Sequence, residues 1–138
     1  MKKRIHISEI MSQNLITLNI TNTIEDAKKI FEENAIRHIP IVDHKEIVGM
    51  LSYSDLLKVG YADASDDNEN IDFSIYDWFT IKQVMAKNLY LVPSNSTVKE
   101  VGALLADKEF HALPVVDDGE LVGIVTTTDF IRFLVDQF

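Results

Sequence analysis

One stretch of the chain occurs twice. Gly49-Met50-Leu51-Ser52-Tyr53-Ser54-Asp55 returns 74 positions later as Gly123-Ile124-Val125-Thr126-Thr127-Thr128-Asp129. At the same offset, without a gap, Met11 aligns with Met85, Asn14 with Asn88, Thr23 with Thr97, Pro40 with Pro114 and Asp43 with Asp117. Residues 11–57 and 85–131 share 11 identities in 47 positions, and many of the other positions exchange one apolar residue for another. Such a register marks a tandem duplication, so whatever fold one half adopts, the other must repeat.

The length of 138 residues suits a single core that needs no covalent staple. With no cysteine, disulfides, zinc–thiolate sites and thiol catalysis are excluded. The basic start, Lys2-Lys3-Arg4, is followed by no apolar run of signal-peptide type, and no stretch has the length of a membrane span. A cytoplasmic protein without membrane insertion is the expectation. A net charge of −9 argues against nucleic acid and anionic lipid as partners, because both require a basic face. It leaves room for a small anion in a locally shaped pocket.

Each copy reads as a helical turn, a strand, a helix, a hairpin and a final helix. The first strands are expected at Leu15–Leu18 and Leu89–Val92. Thr23-x-x-Asp26 and Thr97-x-x-Glu100 are capping-box patterns that start the next helices. Behind them Ile24, Ala27, Ile30 and Phe31 share one helical face, as do Val98, Val101, Leu104 and Leu105. The hairpins turn through Asp43-His44-Lys45-Glu46 and Asp117-Asp118-Gly119-Glu120. Pro40 and Pro114 lack an N–H, so their strands are expected to be interrupted or at an edge. The units are expected at 8–60 and 80–138, packed sheet to sheet about a pseudo-twofold axis. Between them, 61–79 reads as a linker, acidic at first, with Tyr76, Trp78 and Phe79 anchoring its aromatic end to the module. Asp66, Asn68, Asn70, Asp72, Ser74 and Asp77 have calcium-loop spacing, but Ile71 stands where the turn needs glycine, so this stretch reads as linker too.

Ser52-x-x-Asp55 and Thr126-x-x-Asp129 sit where a strand gives way to a helix. One reading is structural: a hydroxyl and an acid three residues apart form a capping box. The other is functional. A helix N-terminus with a hydroxyl suits a phosphate, and a carboxylate suits the paired hydroxyls of a ribose, which together describe a nucleotide. Both readings stand at this level.

The duplicated pattern resembles a pair of cystathionine β-synthase (CBS) domains, also called a Bateman module. The resemblance rests on Met11 and Met85, on Ile39-Pro40-Ile41-Val42-Asp43 and Leu113-Pro114-Val115-Val116-Asp117, and on the two glycine-to-aspartate stretches. It covers the chain from about residue 8 onward and implies an α/β (α+β) fold of two tandem β-α-β-β-α units. It further implies an adenine nucleotide or S-adenosylmethionine held as a regulatory ligand in the cleft between repeats, with magnesium a candidate companion. By the family motif, Asp55 and Asp129 hold ribose hydroxyls, while Ser52 and Thr126 reach phosphate. Backbone at Ile39-Pro40 and Leu113-Pro114, with Thr17-Leu18 and Leu91-Val92, flanks the base. Arg37, His38 and His111 stand where relatives place phosphate-facing basic residues, and Ala112 stands opposite His38 in the repeat, so the two sites are open to different phosphate preferences. The structural alternatives are a solvated turn for Arg37 and His38 and a partly buried histidine at His111.

No Ser-His-Asp, HExxH or P-loop pattern appears, which points away from an enzyme. The expected protein is a regulatory, homodimeric module that binds a small nucleotide and signals to a separate effector protein. The alternative is a ligand-independent dimeric scaffold for a transporter or enzyme. The apolar C-terminal helix, with Phe130, Ile131, Phe133, Leu134 and Phe138, is expected to supply part of the dimer interface.

Overall fold

A computed structural model describes residues 4–61 and 78–138. The chain divides into two compact units, one formed by Ile16–Asn88 and the other by Met1–Leu15 together with Leu89–Phe138. The acidic series, Tyr76 and the calcium-spaced residues lie outside the described residues. Trp78 is described, and at 74% exposure it is not the packed anchor expected of it.

The Ile16–Asn88 unit contains β1 (Leu18–Asn19), α1 (Ile24–Glu33), β2 (His38–Asp43), β3 (Glu46–Ser52), α2 (Tyr53–Tyr61) and the short α3 (Ile81–Val84). Among the described residues its strands lie in the order β1-β2-β3, with β1 parallel to β2 and β2 antiparallel to β3. The other unit opens with a 3-10 turn at Ile7–Glu9 and continues with α4 (Val98–Asp107), β4 (Ala112–Asp117), β5 (Glu120–Thr126) and α5 (Thr127–Asp136). Its hairpin has β4 antiparallel to β5. The order of elements in each repeat agrees with the sequence reading.

The first strands are shorter than expected. In place of Leu15–Leu18 the ladder covers Leu18–Asn19, and in place of Leu89–Val92 it is a single parallel bridge from Val92 to Val115. Local chemistry ends both. The Asn19 side chain accepts from the Thr21 N–H at 3.0 Å and the Asn19 N–H donates to Asn22 Oδ1 at 2.8 Å, which turns the chain. After Val92 comes Pro93, which has no N–H to extend the pairing.

Pro40 and Pro114 do not interrupt their strands. Pro40 faces Met50, whose N–H and C=O are both given to Ala86 on its far side (3.0 and 2.9 Å). Pro114 faces Ile124, which exchanges its pair with Ser12 (2.8 and 3.1 Å). The missing proline N–H is therefore not one the hairpin needs.

The same bridges show where the opening segments go. The helical turn of the second repeat, α3, packs with the first repeat's hairpin, and the turn at Ile7–Glu9 packs with the second repeat's hairpin. Gly123 is the receiving point: a Cβ there would lie 2.5 Å from Met11 Sδ. Gly49 receives Met85 even more closely. The duplicated glycines are thus seats for the duplicated methionines, each taken from the other repeat.

Each unit has its own core. In Ile16–Asn88 it comprises Leu18, Ile24, Ala27, Phe31, Ile39, Ile41, Leu51, Leu56, Ile81 and Met85. In the other it comprises Ile7, Val92, Val101, Leu105, Leu113, Val115 and Val125. The helical faces read from sequence supply the inward sides of α1 and α4, with Ile30, Val98 and Leu104 at the margin. The full capping box forms at Thr23, where Thr23 and Asp26 each accept the other's N–H (3.1 and 2.9 Å). At Thr97 half of it forms: Thr97 Oγ1 accepts from the Glu100 N–H at 3.1 Å and donates to Glu100 Oε1 at 3.0 Å.

Candidate functional site

In each unit the second hairpin strand ends on the hydroxyl residue and the helix starts at the next. Ser52 closes β3 before α2, and Thr126 closes β5 before α5. The helix start is tied to the neighbouring strand by one backbone bond. The Tyr53 N–H donates to the Arg37 carbonyl at 2.8 Å, and the Thr127 N–H donates to the His111 carbonyl at 3.0 Å. Arg37 and His111 are therefore held beside the helix N-termini, and both side chains are exposed.

The capping geometry is present at both junctions. The Asp55 N–H donates to Ser52 Oγ (3.0 Å) and the Ser52 N–H to Asp55 Oδ2 (3.1 Å). The Asp129 N–H donates to Thr126 Oγ1 (3.3 Å), and Asp129 Oδ2 accepts from the Thr126 N–H (2.8 Å) and Oγ1 (3.2 Å). These bonds engage one oxygen of each carboxylate and leave Oδ1 uncommitted among the described residues. A cap and a ligand group therefore coexist: the engaged oxygen fixes the carboxylate, and the other can accept from a diol. Asp129 is buried at 9% exposure, while Asp55 is half-buried.

The ladder places the remaining candidates. His38 pairs with Ser52 and Ala112 with Thr126, so each stands directly across the strand from the hydroxyl. Next along β2 and β4, Ile39-Pro40 and Leu113-Pro114 are buried. On the far side of β2, Leu18 is buried and pairs near Ile41, with exposed Thr17 just before it. On the far side of β4, buried Val92 meets Val115, and Leu91 is 45% exposed. Each unit thus gathers its own hydroxyl, acid, strand backbone and first-strand residues at one end of its sheet. Leu18 and Val92 belong to the cores, so what they offer at that end is backbone.

Sequence reasoning passed over two features. Tyr90, 48% exposed beside Leu91, lies against Phe110 with ring centroids 5.9 Å apart; the first repeat has Ile16 and Ile36 at these positions. The other is a groove of about 720 Å³ walled by Arg4, Ile5, Thr97, Lys99, Ala103 and Phe133. It lies at the start of α4, no residue of either Ser/Thr–Asp junction lines it, and its Thr97 and Glu100 side chains are bonded to each other. No group of three or more His, Asp or Glu residues is placed to hold a metal ion among the described residues. Among the same residues no helix is long and apolar enough to cross a membrane.

Comparison with known proteins agrees with this architecture. The CBS domain family model matches residues 7–61 and 81–136. A protein of Methanocaldococcus jannaschii is 32% identical over 129 residues, covering 93% of this chain and 42% of its own length. A CBS domain-containing protein of Dictyostelium discoideum is 25% identical over 96% of this chain and 92% of its own. The crystal structure of the CBS domain pair of protein MJ0100, in complex with 5′-methylthioadenosine and S-adenosyl-L-methionine, superposes with a TM-score of 0.81 at 28% identity. That likeness spans 99% of this chain and all of the other. The chain spans less than half the length of the first of these relatives, and the Dictyostelium protein is close to it in size.

Proposed function

The chain belongs to the CBS domain family, and from that premise we propose that it is a regulatory module that binds an adenosine-containing ligand at its Ser/Thr-x-x-Asp junctions. The observation that carries this reading is that both units keep the hydroxyl and the acid at the same strand–helix junction. The whole-length likeness to a pair that holds two adenosine compounds supports it. Asp55 and Asp129 accept the ribose hydroxyls through their uncommitted oxygens. Strand backbone at Ile39-Pro40 and Leu113-Pro114 flanks the base, and the helix N-terminus with its hydroxyl faces the 5′ group. The module regulates and does not catalyse. It acts as a homodimer, and its ligand-bound state is read by a separate effector protein through a shift of population between conformations.

A thermal-shift panel tests this, with AMP, ADP, ATP, S-adenosylmethionine and 5′-methylthioadenosine, each with and without magnesium. A ligand at ~100 times its dissociation constant stabilises the folded chain by about 2.7 kcal/mol. For a chain of this size that is a rise of several degrees. A shift with at least one compound is expected, diminished in Asp55→Ala or Asp129→Ala. A flat panel on nucleotide-free protein would overturn the reading.

It would favour the second reading, a ligand-independent scaffold, which one observation also supports. Ile131, Leu134 and Val135 form a stripe along α5 with exposures of 60%, 58% and 63%, and Phe138, just past its end, is fully exposed. A stripe of that spacing is a docking face for another helix.

A further inference from the structure

The two junctions share a motif but not an electrostatic setting. Across the ladder from Ser52 stands His38, an imidazole, with Arg37 next to it. Across from Thr126 stands Ala112, a methyl group, with His111 next to it. The Ile16–Asn88 junction therefore has a permanent cation and a ring nitrogen where the other has a ring nitrogen and a methyl group.

The hydroxyls differ too. Thr126 Oγ1 lies 3.2 Å from Asp129 Oδ2 and donates its proton there. Ser52 Oγ accepts from the Asp55 N–H, and among the described residues no bond from Ser52 Oγ to the Asp55 carboxylate matches the one at Thr126. Thr126 must therefore release its bond to Asp129 before it can donate to an incoming anion. A phosphate at the Thr126 junction would also approach the buried Asp129 carboxylate, to which Thr126 is already bonded. With a chain charge of −9, an anion is held only where local donors and cations outweigh the general field.

We propose that the two sites accept different classes of adenosine ligand. The junction of Ser52 and Asp55, with Arg37 and His38, takes an adenosine bearing an anionic 5′ phosphate. The junction of Thr126 and Asp129, with Ala112, takes an adenosine whose 5′ group carries no negative charge, such as a thioether. The proposal rests on the adenosine reading above and adds to it a division of labour. Arg37 and His38 are the specificity-determining residues, since Ser52, Asp55 and the strand backbone have counterparts in the other copy.

Calorimetric titration of the full chain with AMP and with 5′-methylthioadenosine tests it. One charge-assisted hydrogen bond to phosphate corresponds to about tenfold in affinity or more. AMP binding is expected to be lost in Asp55→Ala, and 5′-methylthioadenosine binding in Asp129→Ala. Because both substitutions also disturb a helix cap, a second variant leaves the caps alone. Arg37→Ala combined with His38→Ala should lower the AMP to 5′-methylthioadenosine affinity ratio about tenfold, and Ala112→His should raise it at the other junction. The proposal is overturned if one aspartate variant loses both ligands while the other keeps both, or if the Arg37/His38 variant leaves the ratio unchanged. If the unsubstituted chain binds neither compound, the adenosine reading itself falls.

Discussion

If Gly123 is the seat of Met11, filling that seat must cost stability only while the methionine is present. Gly123→Ala places a Cβ 2.5 Å from Met11 Sδ and within 3.1 Å of its Cγ and Cε. No real Cβ sits at the first distance, so the side chain must rotate or the strand must move. Overpacking of this kind costs about 1–3 kcal/mol, towards the lower end because methionine has three rotatable bonds. Met11→Ala alone removes a partly buried side chain and costs about 2 kcal/mol, again at the low end for such truncations. In the Met11→Ala background the new methyl meets open space, and the glycine substitution should cost about nothing. The double-mutant cycle should therefore show a coupling of about 1–2 kcal/mol, in the range found for residues in contact. Urea unfolding followed by far-UV circular dichroism measures all four chains, and an unchanged slope shows that the comparison is valid. Gly49 with Met85 provides an independent repeat of the experiment in the Ile16–Asn88 unit. Additive costs in both pairs would refute the exchange of opening segments on which the description of the units depends.

Two further outcomes follow from local geometry. Ser94 donates from Oγ and N–H to the two oxygens of Asp117 (2.5 and 3.0 Å), and these bonds hold the Asp117 carboxyl below its ordinary pKa, the side-chain bond foremost. A depressed carboxyl contributes stability that is present above its unfolded pKa and is lost as pH falls through the folded value. Ser94→Ala should move the Asp117 pKa, read by carboxyl carbon NMR, back towards that of free aspartate and flatten this part of the acid limb. An unmoved value would remove the Ser94 hydroxyl as the foremost cause. Gly119 has φ +81° in the β4–β5 turn, so Gly119→Ala should destabilise by about 1–2 kcal/mol. A thermal midpoint equal to that of the parent chain would contradict the turn geometry.

What could be read without coordinates depends on neighbours close in sequence. The threonine caps, the apolar faces of α1 and α4 and the two tight hairpins each rest on groups within a few residues of one another, and the duplication showed each twice. The family pattern and the residue types at the two junctions were legible for the same reason. The first strands were overextended because their ends depend on the Asn19 turn and on Pro93, which a run of apolar residues does not display. Pro40 and Pro114 looked like interruptions because the partner that takes Met50 and Ile124 on their far side is distant in sequence.

Two decisions belonged to tertiary structure alone. Met11 and Met85 precede similar segments, and nothing local assigns either to a particular glycine; the unpaired N–H and C=O of Ile124 and Met50 do so by accepting Ser12 and Ala86. The second decision is the register at the site. Each hairpin shifts register between Ile41 and Val42, or between Val115 and Val116. Without that shift, counting back from the turn would set His38 opposite Leu51 and leave Ser52 on the other face of the sheet. The bulge puts His38 opposite Ser52 and Ala112 opposite Thr126. The amino-acid sequence determined that each junction would carry a hydroxyl and an acid. Which side chain stands across from that hydroxyl, and so what charge the junction presents, was settled by one extra residue in a strand, because a single step along a pleated chain reverses the side to which every later residue points.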